Sequence, residues 1–270
     1  MSYLRKKHIA ESKAKRFLYI VLGISLFLAV VFWAITPPTL DENFCPVDKL
    51  KIKPHRFFML IDITSDLTNQ NKKIVNNLAS DWVMGGPSSQ MLSIYSLNTS
   101  NIRDFEDIDT ICSPPNSLLL GISYGQQKAN QRIEKFKARI KEVVDKASRP
   151  NSQLISSKIL ESVMQVTNGP NWVPGTSRLI MVSDLIEKSD AADFYNGNIP
   201  VFNDWVIKKD NKGLVNSIKM MRGDRVQICQ VLTEKPGYQA REQAKQFWID
   251  LFAYKGISEV FFACSGVAKD

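Results

Sequence analysis

The sequence predicts an α/β domain, a doubly wound and mostly parallel sheet, carried behind one N-terminal transmembrane helix. Three observations predict it. Short apolar runs recur between helical patterns, and strands apolar on both faces belong to sheets covered on both sides by helices. Phe17 to Ile35 is a run of 19 residues without a charge. Two of the apolar runs end in an aspartate, Asp62 and Asp184, at the carboxyl ends of strands where such sheets bind their ligands.

The apolar run comes first in the chain. As a helix it is about 28 Å long, close to the hydrocarbon thickness of a bilayer. Arg5, Lys6, Lys7, Lys13, Lys15 and Arg16 precede it, so the positive-inside rule leaves the N-terminus in the cytoplasm. Tyr19 and Trp33 lie near its two ends, where amphipathic aromatics favour the interface. A cleaved secretory signal has a shorter apolar core and a small-x-small site. Phe32-Trp33-Ala34 is a poor one. The expected organisation is a cytoplasmic basic tail over 1–16, a transmembrane helix over 17–36 that contacts the lipid bilayer, a juxtamembrane linker over 37–55, and one domain over 56–270.

The net charge of +8 divides unevenly. The tail holds +5 of it, so most of the basicity sets topology and no nucleic-acid partner is expected. The anchor contains no G-x-x-x-G pairing motif.

Within the domain the elements follow in order. Arg56 to Ile61 reads as a buried strand ending at Asp62, and a helix from Asn71 to Met84 follows. Gly85-Gly86-Pro87 breaks it before a strand over Met91 to Ser96. A third strand runs through Phe105 to Ile111. Residues 125 to 148 form an amphipathic helix with Ile133, Phe136, Ile140, Val143 and Val144 as its buried stripe and its many charges solvated. Arg149-Pro150-Asn151 ends it, and Ser152 opens another helix through Val166. Arg178 to Ser183 is a strand ending at Asp184. Residues 187 to 211 form a polar and aromatic insertion whose Phe194, Tyr195, Phe202 and Trp205 either pack it onto the domain or form a partner-binding rim. A strand over Arg225 to Leu232, a helix from Gln239 to Tyr254 with Phe247, Trp248, Leu251 and Phe252 in the core, and a strand over Glu259 to Cys264 close the chain.

Four cysteines in an exported domain allow two disulfides in three connectivities. The positions favour Cys45 with Cys112, stapling the linker to the domain, and Cys229 with Cys264, which are otherwise two buried thiols. No C-x-x-C occurs, against a redox or zinc module.

The residues after the first and fourth core strands resemble the von Willebrand factor A domain. Asp62-Ile63-Thr64-Ser65-Asp66 is similar to that family's D-x-S-x-S, with Asp66 departing from it. Ser152 stands for the hydroxyl that opens the middle helix, and Asp184 for the acid after the fourth strand. The resemblance implies a metal-ion-dependent adhesion site of Asp62, Thr64, Asp66, Ser152 and Asp184 holding Mg2+ or Mn2+, since a hard divalent cation takes oxygen ligands. In the family neutral hydroxyls leave the ion short of negative charge, and it seeks an acidic side chain from a protein partner. A carboxylate at Asp66 weakens that pull if it coordinates; otherwise it caps the following helix. Without a metal, Asp62 and Asp184 are strand-end caps.

Enzyme readings find little footing. The two histidines are His8 in the tail and His55 before the first strand, which excludes a histidine triad or histidine zinc site in the domain core. Walker A, G-x-G-x-x-G and G-x-S-x-G sequences are absent. A metal-dependent nuclease or phosphoesterase would recruit Asp66, Asp81, Asp104 or Asp190. The expectation is a noncatalytic protein-binding subunit of an envelope complex, its domain in the periplasm of a bacterial inner membrane. The alternatives are a structural subunit with a decayed metal site and the hydrolase. The chain has one glycosylation sequon, at Asn98.

Overall fold

The computed structural model of the 270-residue chain describes residues 3–35, 39–45, 47, 56–62, 69–85, 90–97, 107–113, 126–147, 156–231 and 237–264. Helix α1 is Tyr3–Ile35. The domain then alternates β1 (Arg56–Asp62), α2 (Asn69–Gly85), β2 (Met91–Leu97), β3 (Asp107–Cys112), α3 (Gln126–Ala147), α4 (Ile159–Asn168), β4 (Arg178–Ser183), α5 (Phe202–Val206), α6 (Lys209–Ser217), β5 (Arg225–Gln230), α7 (Tyr238–Tyr254) and β6 (Val260–Phe262).

The strands form one six-stranded sheet in the order β3-β2-β1-β4-β5-β6. All neighbours run parallel except β2 and β3. This is a Rossmann-like order with its switch point between β1 and β4. Both faces of β1 are buried, as its unbroken apolar run demands. Phe58 and Leu60 face a core shared with α4 and α7, while Phe57, Met59 and Ile61 face one shared with α2 and α3.

Several expectations change. The helix expected to open at Ser152 begins at Ile159; Ser157 instead pairs with Lys188 in an isolated bridge, and Lys158 has φ −88° and ψ 61°, which the helix cannot continue through. The insertion after β4 contains two short helices, α5 and α6. Its aromatics pack inward: Phe194, Phe202 and Trp205 are buried, and each meets the Phe247 ring edge-on at 5.0–5.5 Å. Tyr195 stays exposed, with the Lys188 ammonium 5.3 Å from its ring centroid. The last strand is three residues long, not six. Both favoured disulfides form, Cys45 with Cys112 and Cys229 with Cys264.

Part of the expected linker is docked. The amides of Asn43 and Cys45 donate to Asp41 Oδ1, and the Val47 amide donates to the Thr39 carbonyl. These bonds close the chain into a tight loop whose Phe44 sits at φ 62°.

Among the described residues no helix is long and apolar enough to cross a membrane. The expected span of 17–36 lies partly outside them, because α1 side chains are described only from Lys15 to Val31. Over that stretch eleven large apolar side chains, from Phe17 to Val30, are exposed.

Gly223 shows how tightly the end of the sheet opposite the switch point is built. It lies at φ 101°, and a Cβ placed on it falls 2.5 Å from the Gly175 carbonyl oxygen. Gly223→Ala is expected to cost about 3 kcal/mol, from left-handed strain plus the collision with backbone. A urea midpoint equal to the parent's would refute it.

Candidate functional site

Asp62 is the last residue of β1, and Ser183 the last of β4. The two strands are adjacent and parallel, so both residues stand side by side at the carboxyl ends of the strands beside the switch point. Asp62 is buried, and its Oδ2 accepts hydrogen bonds from Ser183 Oγ at 2.9 Å and Ser157 Oγ at 3.0 Å. Ser157 reaches it because the Lys188 amide donates to the Ser157 carbonyl at 2.7 Å, fixing the strand-like segment just before α4.

After Ser183 the chain turns sharply. The Leu185 amide donates to Ser183 Oγ at 2.8 Å, and the Ile186 amide donates to Asp184 Oδ1 at 3.0 Å. Such short polar side chains bonding their own backbone two residues on define tight turns. Leu185 is thereby held at φ 68° although it is not glycine, a conformation costing about 1–2 kcal/mol. Its buried side chain and the Trp248 Nε1–H donated to its carbonyl at 3.0 Å offset that strain.

Below this turn lies Glu187, fully buried. The N-cap residue of α4, Lys158, makes no side-chain capping bond. Glu187 supplies the cap from across the fold, its Oε2 accepting the Leu160 amide at 2.9 Å. Among the described residues its Oε1 has no hydrogen-bond partner. Burial pushes the Glu187 carboxyl well up, and the neighbouring acids Glu161 and Asp62 push the same way, while the Ser189 hydroxyl and the Leu160 amide pull back. Burial also raises Glu161, with Asp190 adding to it.

The sign of the pH effect follows. The unfolded chain ionises this carboxyl near pH 4.3, whereas the folded chain keeps the proton to higher pH. The stability tied to the protonated form is full below about pH 4.3 and is lost as pH rises through the folded value. Glu187→Gln cannot ionise and keeps an oxygen for the Leu160 amide. The variant is expected to melt above the parent at pH 8, with the gap closing toward pH 4.5. A gap that stays constant across that range would show that Glu187 is not held protonated.

Of the five residues expected at a metal site, Asp62 and Asp184 come together at the switch point. Thr64, Asp66 and Ser152 lie outside the described residues. The hydroxyl that reaches Asp62 from the α4 side is Ser157. Ser183 and Glu187 are further members that the sequence reading did not single out. Ser157 carried no mark of its own, because Leu154 and Ile155 take the apolar pattern back past it. No local pattern marks Glu187, whose role depends on a helix start 27 positions earlier.

The donors gathered here are carboxylates and hydroxyls, the oxygen chemistry a hard divalent cation takes. The same atoms also serve the fold, and among the described residues no cluster of three or more His, Cys, Asp or Glu is arranged to hold a metal. Of the other acids considered, Asp81 and Asp190 are exposed, and Asp104 lies outside the described residues.

No family model matches the chain, and no curated protein does. Among solved structures it is similar to a von Willebrand factor type A protein from Catenulispora acidiphila, with 8% identity over 72% of this chain and a TM-score of 0.33. The chain spans 37% of the length of that protein. The α/β assignment rests on the strand order itself.

Proposed function

We propose that this chain is a membrane-anchored, noncatalytic protein-binding subunit of an envelope complex, presenting a von Willebrand A-like domain outside the cytoplasm. The observation that carries it is α1. A helix apolar on every side is stable only when buried in protein or lipid, and large side chains all along Phe17 to Val30 are exposed. Two disulfides in the domain add support, since such bonds persist in oxidising compartments. The periplasm of a bacterial inner membrane meets both conditions.

The binding surface in this reading is the crevice above Asp62, Ser157, Ser183 and Asp184. Mg2+ or Mn2+ held by Asp62, Asp184 and the Ser157 hydroxyl, with Thr64, Asp66 and Ser152 joining them, would supply a positive charge that attracts an acidic side chain of the partner. The protein's own share is to fix the carboxylates: Ser183 and Ser157 hold Asp62, and the Ile186 amide holds Asp184.

A specific observation favours the second reading, a structural subunit without metal. Asp62 Oδ2 already accepts two hydroxyls and Asp184 Oδ1 already caps a turn. Crosslinked affinity purification of the full-length protein from its native membrane separates the two. Capture of a partner with magnesium, lost with EDTA and in Asp62→Asn plus Asp184→Asn, supports metal-gated binding. Capture unchanged in all three supports the structural subunit. Incubation of the purified protein with single-stranded and duplex substrates and manganese tests the hydrolase, and cleavage would overturn the noncatalytic reading.

A further inference from the structure

The loop after α1 fixes where the domain meets its tether. Five Cα steps separate Ile35, the last residue of α1, from Leu40, a reach of at most about 18 Å. From Thr39 on, the chain is fastened to α3 and β3. Cys45 is bonded to Cys112, and the Cys112 amide donates to the Asn43 carbonyl at 3.0 Å. Asn43 Nδ2 donates to Asp109 Oδ1 at 2.9 Å. The Arg139 guanidinium bridges Asp109 Oδ2 at 2.6 Å and Asn43 Oδ1 at 3.2 Å, and the Phe44 ring stands edge-on to Phe136 at 5.4 Å. The point of attachment is therefore the α3/β3 edge of the sheet.

The same edge carries the basic surface. On α3, Lys128, Arg132, Lys135, Arg139 and Lys146 recur at i, i+4, i+7, i+11 and i+18, which places them along one flank of the helix. Arg139 makes that flank the one facing the loop. Lys128, Lys135 and Lys146 are exposed. The acid in this row, Glu142, is paired with Arg139 at 3.0 Å, while Glu134 and Asp145 lie elsewhere around the helix. Seven basic and three acidic residues give α3 a net +4. The whole chain after Arg16 carries only +3, so the remainder is slightly negative and the positive charge is concentrated beside the tether.

We propose that the basic flank of α3 docks on anionic phospholipid headgroups of the bilayer that holds α1. This rests on the reading of α1 as a membrane anchor. Basic segments beside a negatively charged leaflet are attracted over about a Debye length, roughly 10 Å, and the short tether keeps the flank close to that surface. Docking turns the domain from a tethered body into one with a set face toward the membrane.

The test uses full-length protein reconstituted in vesicles of phosphatidylcholine alone or mixed with phosphatidylglycerol. Lysines are acylated from the aqueous side, and the rate at each is read by mass spectrometry. Lys128, Lys135 and Lys146 are expected to react about five-fold more slowly in the anionic vesicles, with the protection removed by high salt, while Lys208, Lys209 and Lys212 react equally in both. Lys128→Glu plus Lys135→Glu, with tryptophan emission matching the parent, is expected to remove the protection at Lys146. Equal rates at the α3 lysines in both vesicles, or protection at Lys146 that survives the double variant, would overturn the docking. An alkaline wash separates this from failure of the anchor: protein retained by the vesicles keeps the anchor reading whatever the labelling shows, and protein released overturns both.

Discussion

Full-length protein carrying Cys45→Ala and Cys112→Ala is expected to lose about 4 kcal/mol of stability. The bond spans 67 residues of sequence, and closing a loop of that size removes about that much chain entropy from the unfolded state. The loss has a local side as well. Without the bond, the loop over 39–47 is held by the Asn43, Asp109 and Arg139 network and by Phe44 on Phe136. Urea unfolding in detergent, followed by emission from the buried Trp172, Trp205 and Trp248, measures it. Cys229 and Cys264 close a span of 35, and their removal is expected to cost somewhat less on the same scale. A midpoint unchanged by the Cys45/Cys112 pair would mean that the loop does not stabilise the domain.

Asp62→Ala is expected to cost about 3 kcal/mol. It leaves the Ser157 and Ser183 hydroxyls beside β1 without their shared acceptor, and a buried polar group stripped of its partner costs roughly 1–3 kcal/mol. Asp62→Asn keeps an oxygen in place and is expected to cost about 1 kcal/mol, since only the charge on the acceptor is lost. In the background of Ser157→Ala, the penalty of Asp62→Ala should shrink, because one of the stranded hydroxyls is already gone. Ala and Asn variants of equal stability would show that Asp62 does not knot β1 to β4. That result would in turn strengthen the case for a carboxylate kept for a ligand.

The sheet was legible because its central strands obey one rule. Phe57 to Ile61 and Leu179 to Val182 are apolar at every position, and in a sheet covered on both sides each of those side chains finds a core. The helices with long apolar periods, α2, α3 and α7, were legible for the same reason. The start of α4 was not, because Leu154 and Ile155 extend its apolar pattern backwards over the segment that includes Ser157, which the structure gives to a bridge with Lys188. Helices α5 and α6 are five and nine residues long, too short to display a period; Phe202 and Trp205 anchor α5 on Phe247, and Asn211 of α6 donates to the Trp205 carbonyl.

The candidate site was half legible. Asp62 and Asp184 announce themselves as acids at the ends of apolar strands. The hydroxyl on Asp62 depends on which of Ser152, Ser156 and Ser157 meets it, and their spacing does not decide that. Glu187 is the extreme case. An acid is buried here because a helix start without a side-chain cap of its own lies against it, a fact of the assembled fold.

The docked loop has a consequence for how copies of this chain would coexist when crowded in a plane. A sheet edge is a row of backbone donors and acceptors open to strand addition from a neighbour. Strand β3 ends the sheet on one side, and there the Asn43 carbonyl occupies the Cys112 amide while the Cys45 disulfide locks the loop across the edge. The opposite edge, β6, offers three residues. Both margins of the sheet are blunted, so neighbouring copies have little to pair with and the chain is guarded against edge-to-edge aggregation.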